Sequence, residues 1–135
     1  MSGLVDGGPM LQRLSILDDF MVRFTVNYQT GDGAMGSIIP EDAIVYKTIV
    51  KVTSTWDSES PSIKVGTTDV WELNPDGDDE AFFAAGMVDL TTLGAYVSRT
   101  VYRMIDDGQL LIDFNHDGAT KGSAVIMQLF IPPGG

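Results

Sequence analysis

A period-two alternation of apolar and polar residues constrains the fold of this 135-residue chain more than any other feature. The first such run lies between positions 20 and 28. Its apolar members are Phe20, Val22, Phe24, Val26 and Tyr28, and they alternate with Met21, Arg23, Thr25 and Asn27. Because successive side chains of a β-strand point to opposite faces of a sheet, this pattern predicts a half-buried antiparallel strand.

The stretch 38–67 carries the second alternation, and Pro40 stands where a strand can begin. We expect a strand from Ile44 to Trp56 with Lys47 and Lys51 on its wetter face. The face predicted to point inward comprises Ile44, Tyr46, Thr48, Val50, Val52 and Trp56. The sequence WDSESPS then supplies turn residues, and SIKVGT predicts a short returning strand. The two strands are expected to form a hairpin or meander with a slightly long loop.

The remaining segments predict an all-β chain with little helix. We expect a loop at 29–37, an acidic turn at 74–80, a short helical turn at 81–85, irregular chain at 89–94, and strands at 99–105, 109–114 and 123–131. Asp-Gly pairs in the turns 105–108 and 115–122 suit positive φ and predict hairpins. Six or seven short strands are typical of an antiparallel β-sandwich or jelly roll. Residues 14–135 are expected to form this single domain, after a Gly-rich, flexible N-terminal arm at 1–13.

Charge and composition exclude several classes of function. The formal net charge is −11 with only eight Lys and Arg, which argues against a nucleic-acid partner because such binding depends on basic side chains. The absence of cysteine excludes disulfides and thiolate metal sites. No apolar run approaches the roughly 20 residues that span a bilayer, and the first residues do not resemble a signal peptide, so we expect neither membrane insertion nor secretion.

Two segments can be interpreted either as sites of chemistry or as ordinary turns. His116 is the one histidine, and a general base there would need a nucleophile and an orienting carboxylate such as Asp113 or Asp117, so a turn residue is the preferred interpretation. The acidic loop 74–80 offers oxygen ligands suited to calcium but lacks the spacing of a calcium-binding loop. A solvated turn is preferred there too.

Other candidates rest on weaker patterns. The doublets Asp18-Asp19 and Asp106-Asp107 do not form a glycosidase pair by themselves, because neighbouring strand residues point to opposite faces. The Gly-rich loops lack the features of a phosphate-binding loop. The aromatic residues could form a sugar-stacking platform, although core packing is preferred for them: Tyr28, Trp56, Trp71, Tyr96 and Tyr102. We predict no catalytic residue, no cofactor and no metal ligand.

The order of several segments resembles small structural proteins of tailed bacteriophages. The segments are Ile39-Pro40 with Ala43-Ile44-Val45, KTIVKVTSTWDS, PSIKVGT, AFFAAGMVDLTT and GQLLIDFNHDGATKGSAVIMQLFIP, which together cover about residues 38–131. Glu41-Asp42 departs from the pattern, where a Gly is common before the Ala. The resemblance implies a non-enzymatic β-sandwich protein of the virion, made in the host cytoplasm.

Within that class, the resemblance favours a capsid decoration (cement) protein on the outer capsid surface. Its partner would be the major capsid protein, and a homotrimer is the favoured oligomer. The N-terminal arm could add a strand to a neighbour's sheet, with apolar anchors at Leu4, Val5, Met10 and Leu11. The alternatives are a receptor- or glycan-binding module of a head fibre or tail tip, and a β-sandwich hydrolase with convergent carboxylates.

Overall fold

The computed structural model describes residues 20–69 and 78–134, apart from the side chain of Asp79. The predicted arm at 1–13, the domain boundary at 14 and most of the acidic turn lie outside these residues. The described residues form strands and no helix. The strands are β1 (Met21–Asn27), β2 (Gly33–Ile39), β3 (Ile44–Ser54), β4 (Ser62–Thr67), β5 (Asp78–Phe83), β6 (Gly94–Ser98), β7 (Tyr102–Arg103), β8 (Gly108–Asn115) and β9 (Ser123–Ile131).

The first of two sheets has the order β1, β9, β3, β6, with β7 also paired to β3. All of its pairings are antiparallel. Met127 on the central strand β9 stands opposite Arg23 on one side and Ile49 on the other, and Ile49 in turn stands opposite Val97. One row of side chains therefore crosses all four strands on the same face.

The second sheet has the order β2, β8, β4, β5, and its pairings are also antiparallel. Its central strand β8 buries every second residue from Gly108 to Phe114. The buried members face the first sheet, so the two sheets form the expected β-sandwich. Because most connections, such as β1 to β2 and β8 to β9, pass from one sheet to the other, the strand order is jelly-roll-like.

These crossings show that the three predicted hairpins are wrong. The turn 105–108 joins β7 of the first sheet to β8 of the second, and its Asp107-Gly108 pair lacks the expected positive φ. Strand β3 lies in the first sheet and β4 in the second, so the stretch 38–67 does not form a two-stranded element. The turn 115–122 likewise joins β8 to β9 across the sandwich. Its Asp-Gly pair nevertheless has the expected conformation, since φ is 54° at Asp117 and 77° at Gly118. Turn chemistry predicted the local reversal but not the sheet that the next strand joins.

The core lies between the sheets and is mostly aliphatic, with Trp56 as its largest fully buried side chain. The alternation predicted for β1 is confirmed, because Val22 and Val26 are buried while Arg23 and Thr25 are exposed. A polar pair on neighbouring strands of the first sheet lies within this apolar layer. The buried Gln128 donates its Nε2 to the Oγ1 of the buried Thr48 at 2.9 Å, so both side chains have a partner.

A β-bulge corrects the predicted inward face of β3. Thr48, Val50, Val52 and Trp56 are buried as expected. Between β9 and β3, however, Leu129 pairs with Lys47 whereas Phe130 pairs with Val45, which leaves Tyr46 as the extra residue. Such an insertion reverses the alternation beyond it, so Val45 is buried and Tyr46 is 37% exposed. The prediction that Ile44 and Tyr46 point inward is therefore wrong.

Three further elements differ from the expectations. Residues 33–37 belong to strand β2 rather than a loop. Residues 78–83 form strand β5, so 78–80 are not part of the predicted acidic turn and 81–83 are not part of a helical turn. The strand expected at 99–105 is reduced to the two-residue β7, whereas the preceding strand β6 lies at 94–98, outside the expected range. Both pair with β3. Strand β9 has the predicted bounds, β8 extends the predicted one by a residue at each end, and the segment 89–93 is irregular as expected.

Candidate functional site

His116 is held at both ring nitrogens, which leaves its imidazole no free atom for acid–base chemistry. The indole Nε1 of Trp56 donates to His116 Nδ1 at 3.0 Å, so Nδ1 accepts and carries no proton. His116 Nε2 therefore carries the hydrogen and donates to the carbonyl of Thr30 at 2.7 Å. The ring also stacks on Phe114 with centroids 4.5 Å apart. The interpretation of His116 as a structural turn residue is supported.

The turn that carries His116 is tied to the segment after β3 by polar contacts. Ser58 Oγ donates to the His116 carbonyl at 2.7 Å, and the Ser60 amide donates to the Asp117 carboxylate at 2.8 Å. The Asp57 carboxylate accepts from both the hydroxyl and the backbone amide of Thr120. These bonds hold the pKa of Asp57 below its ordinary value, with the Thr120 hydroxyl as the largest cause. This cluster is a brace between loops.

The aromatics considered for sugar binding are largely used inside the protein. Trp56 is 2% exposed, and its indole N–H donates a hydrogen bond to His116. It therefore presents no ring face to a ligand. Tyr28, Tyr96 and Tyr102 are partly buried and pack against the core. Trp71 lies outside the described residues. The described aromatics therefore support the packing interpretation.

The carboxylates that were considered as catalytic pairs contact backbone amides where the structure describes them. Asp107 accepts from the Glu41 amide at 2.8 Å, and Asp106 accepts from the Asp107 amide at 2.8 Å. Asp18 and Asp19 lie outside the described residues, as do positions 74–77 of the acidic loop. Across residues 20–69 and 78–134, no three His, Cys, Asp or Glu side chains are grouped to hold a metal ion. The same residues contain no helix of the length and apolarity that crossing a membrane requires.

Asp69 is a buried carboxylate that sequence reasoning missed. Its side chain accepts from the Tyr102 hydroxyl at 2.9 Å and from the backbone amides of Ile105 and Asp106 at 2.7 and 2.9 Å. Burial, together with the negative charge of Asp69, raises the pKa of the Tyr102 hydroxyl well above its ordinary value. The hydrogen-bond donors to Asp69 are more than 30 residues away from it in the sequence, so no local pattern could have indicated this role. Asp69 braces the connection between β7 and β8.

The most distinctive surface of the described residues is the outward side of the first sheet. We define the outward face by residues whose neighbours along each strand point into the core: Met21, Arg23, Thr25, Lys47, Ile49, Lys51, Ala95, Val97, Val125, Met127 and Leu129. Its centre is apolar, and Val97 is 45% exposed. The prediction that Lys47 and Lys51 lie on the wetter face of β3 is confirmed, because they border this centre with Arg23.

The outward face also differs in charge from the rest of the chain. Strands β1, β3, β6 and β9 contain three of the eight Lys and Arg residues and none of the nineteen Asp and Glu residues. In a chain with a net charge of −11, these four strands thus carry no carboxylate. An apolar surface bordered by basic side chains is complementary to apolar and acidic groups. The predicted arm residues Leu4, Val5, Met10 and Leu11 lie outside the described residues.

Comparison with known proteins identifies the fold. No protein-family model matches the sequence, and no curated protein is significantly similar to it. Three similar solved structures are chains from phage capsids. For a chain in the "acidic stable capsid" of Helicobacter pylori bacteriophage KHP30, the TM-score is 0.66 at 15% identity, over 84% of this chain and 87% of that chain.

The two other structures give similar values. A chain in the capsid of Ralstonia phage GP4 has a TM-score of 0.57 at 14% identity, over 85% of this chain and 84% of that chain. A chain in the capsid asymmetric unit of cyanophage Pam1 has a TM-score of 0.59 at 15% identity, over 84% of each chain. The β-sandwich described above is therefore a fold that also occurs in the capsids of these three phages.

Proposed function

We propose that the protein is a non-enzymatic structural component of a bacteriophage virion, and specifically a capsid decoration (cement) protein. The observation that carries this proposal is the shared fold with chains of three phage capsids, over 84 to 85% of this chain. The order of segments across residues 38–131 supports the same class from the sequence alone. In this role the protein binds the outer surface of the shell through surface area rather than through a reactive site.

The described residues fit a binding role better than a catalytic one. The imidazole of His116 is hydrogen-bonded at both nitrogens, and the carboxylate of Asp69 accepts three hydrogen bonds. Such groups stabilise a rigid scaffold. A decoration protein needs that rigidity, because contacts spread over a shell act together only when the scaffold holds them in register.

The proposed partner is the major capsid protein, and the proposed oligomer is a trimer on the outer capsid surface. A symmetric oligomer multiplies each contact with the lattice and so raises the overall affinity without new kinds of contact. The apolar residues Leu4, Val5, Met10 and Leu11 are proposed to contribute to binding the neighbouring subunits.

The direct test adds purified protein to undecorated mature shells and measures binding and the temperature of shell rupture. We expect saturable binding and a higher rupture temperature. The variant Leu11→Asp is expected to weaken binding, whereas Ser2→Asp adds the same charge to the same segment without removing an apolar side chain. Absence of binding, or binding without any gain in rupture temperature, would rule out the decoration role. Analytical ultracentrifugation checks the trimer.

The glycan-binding alternative, on a head fibre or tail tip, now rests on Trp71 rather than on the buried Trp56. Glycan-array binding by the wild-type protein that disappears in a folded Trp71→Ala variant would favour it over decoration.

A further inference from the structure

We propose that residues 1–19 of this chain lie across the outward face of the first sheet of the same copy. The inference concerns the protein before it meets any partner, so it holds or fails independently of the decoration role. It begins from the outward face, whose row Arg23, Met127, Ile49 and Val97 runs across β1, β9, β3 and β6.

The first argument is that the outward side of β9 is apolar, as is its inward side apart from Gln128. Ala124, Ile126 and Phe130 point into the core, while Val125, Met127 and Leu129 point outward and are only partly buried. A strand of an antiparallel sheet with one side in water alternates between apolar and polar residues. The central strand of the first sheet departs from that pattern, which is typical of a sheet covered on its second side.

The second argument is charge. The outward face carries Arg23, Lys47 and Lys51, and its four strands carry no Asp or Glu. A second copy placed face to face would bring these basic groups together, which is unfavourable. A nucleic acid is disfavoured as the occupant, because it would be repelled by a chain with a net charge of −11. The expected occupant is an acidic polypeptide with apolar side chains.

Residues 1–19 have that composition and are connected to the correct place. They contain Asp6, Asp18 and Asp19 against the single Arg13, a net side-chain charge of −3 + 1 = −2. Their large apolar residues are Leu4, Val5, Met10, Leu11, Leu14, Ile16 and Leu17. The segment leads directly into β1, the edge strand of the first sheet.

The length of the segment is also sufficient. Nineteen residues extend to at most about 65 Å, whereas four strands about 4.8 Å apart present a face roughly 15 to 20 Å wide. Because the segment is covalently joined to the sheet that it would cover, its effective concentration at the outward face is high. Docking there also removes its apolar side chains from water.

Hydrogen exchange of the full-length protein, read by mass spectrometry, tests the proposal. We expect amides within residues 1–19 to exchange at least about tenfold more slowly than an unstructured chain, independently of protein concentration. Val97→Asp, which places a carboxylate in the apolar row of the outward face on its edge strand β6, is expected to abolish this protection. Val101→Asp is the matched control, since Val101 is 67% exposed and lies between β6 and β7, outside that face.

A charge reversal provides a second variant that leaves the apolar side chains in place. Lys51→Glu on the outward face is expected to reduce the protection, and Lys121→Glu in the exposed turn before β9 is expected to leave it unchanged. Exchange of residues 1–19 at unstructured rates in the wild-type protein would overturn the proposal. So would protection that survives both Val97→Asp and Lys51→Glu, or that arises only as the concentration rises, since the latter requires a second copy.

Discussion

Gly122 lies against the largest side chain of the core. A Cβ at this position would be 2.5 to 2.9 Å from three atoms of the Trp56 indole, and the φ angle of 143° is one that L side chains rarely adopt. The absence of a side chain thus lets the backbone before β9 pack directly on the ring that also donates a hydrogen bond to His116.

We predict that Gly122→Ala destabilises the protein more than a backbone penalty alone explains. Gly33→Ala is the control, because Gly33 has a φ of 142° and a Cβ added there would meet no atom within 4 Å. Both variants carry the strain of that φ, on the order of 1–3 kcal/mol, and overpacking adds about 1–3 kcal/mol at Gly122 alone. Denaturant unfolding measures the difference, and equal losses would contradict the role assigned to the Trp56 contact.

We predict that Thr120→Val raises the pKa of Asp57 toward its ordinary value of 3.8, because the Thr120 hydroxyl is the largest cause of its lowering. A lowered folded-state pKa contributes stability that is present above about pH 4 and is lost as the pH falls through the folded-state value. The variant should therefore be less stable than the wild-type protein above about pH 4, and this difference should disappear as the pH falls through the folded-state pKa of Asp57.

An NMR titration of the side-chain carboxyl carbons measures this shift. Asp89 is an internal control, because Thr91 and Thr92 lower its pKa in the same way and the substitution does not touch them. An unchanged titration of Asp57 in Thr120→Val, with Asp89 also unchanged, would show that the hydroxyl has no such effect.

At the scale of the elements, Asp69 connects parts of the molecule that strand pairing alone leaves apart. Its carboxylate follows β4 in the second sheet and holds the segment after β7, a strand of the first sheet. The Thr68 hydroxyl and amide bond the backbone of Gln109 at the start of β8 as well, both at 3.0 Å. Polar bonds at this end thus fix how the chain passes from one sheet to the other.

We predict that Asp69→Asn costs about 1–3 kcal/mol of stability, because the amide nitrogen cannot accept a bond and leaves a partly buried donor without a partner. Tyr102→Phe, which removes one donor and keeps the carboxylate, should cost about 1 kcal/mol. Hydrogen exchange distinguishes the two: the amides of Ile105 and Asp106 should exchange faster in Asp69→Asn and remain protected in Tyr102→Phe. Unchanged exchange in Asp69→Asn would contradict the brace.

At the scale of the whole molecule, the fold class followed from the sequence, but the assembly of the sandwich did not. The alternation in β1 and the bounds of β9 were predictable because a half-buried strand repeats every two residues. Strand β2 was missed because Gly33, Gly36 and Ser37 are typical of loops, and β5 because residues 81–83 are consecutive apolar residues. The outward face was missed because it joins four strands that are distant in the chain.

Strand partners were the least predictable property. A local pattern predicts that β3 and β4 are strands. It does not predict that β3 pairs with β9 while β4 pairs with β8. The same limit applied to Asp69, whose three donors come from residues 102–106. Long-range pairings of this type are chosen by the packing of the whole core.

The place of β9 in the first sheet has a consequence for synthesis of the chain. Strand β9, the last in the chain, lies between β1 and β3 in the first sheet and pairs with both. A ribosome therefore releases the early strands long before the strand that joins them, and at about 5–20 residues per second that interval lasts several seconds. During those seconds the apolar sides of β1 and β3 have no native neighbour between them, so they stay exposed to aggregation until β9 has been made.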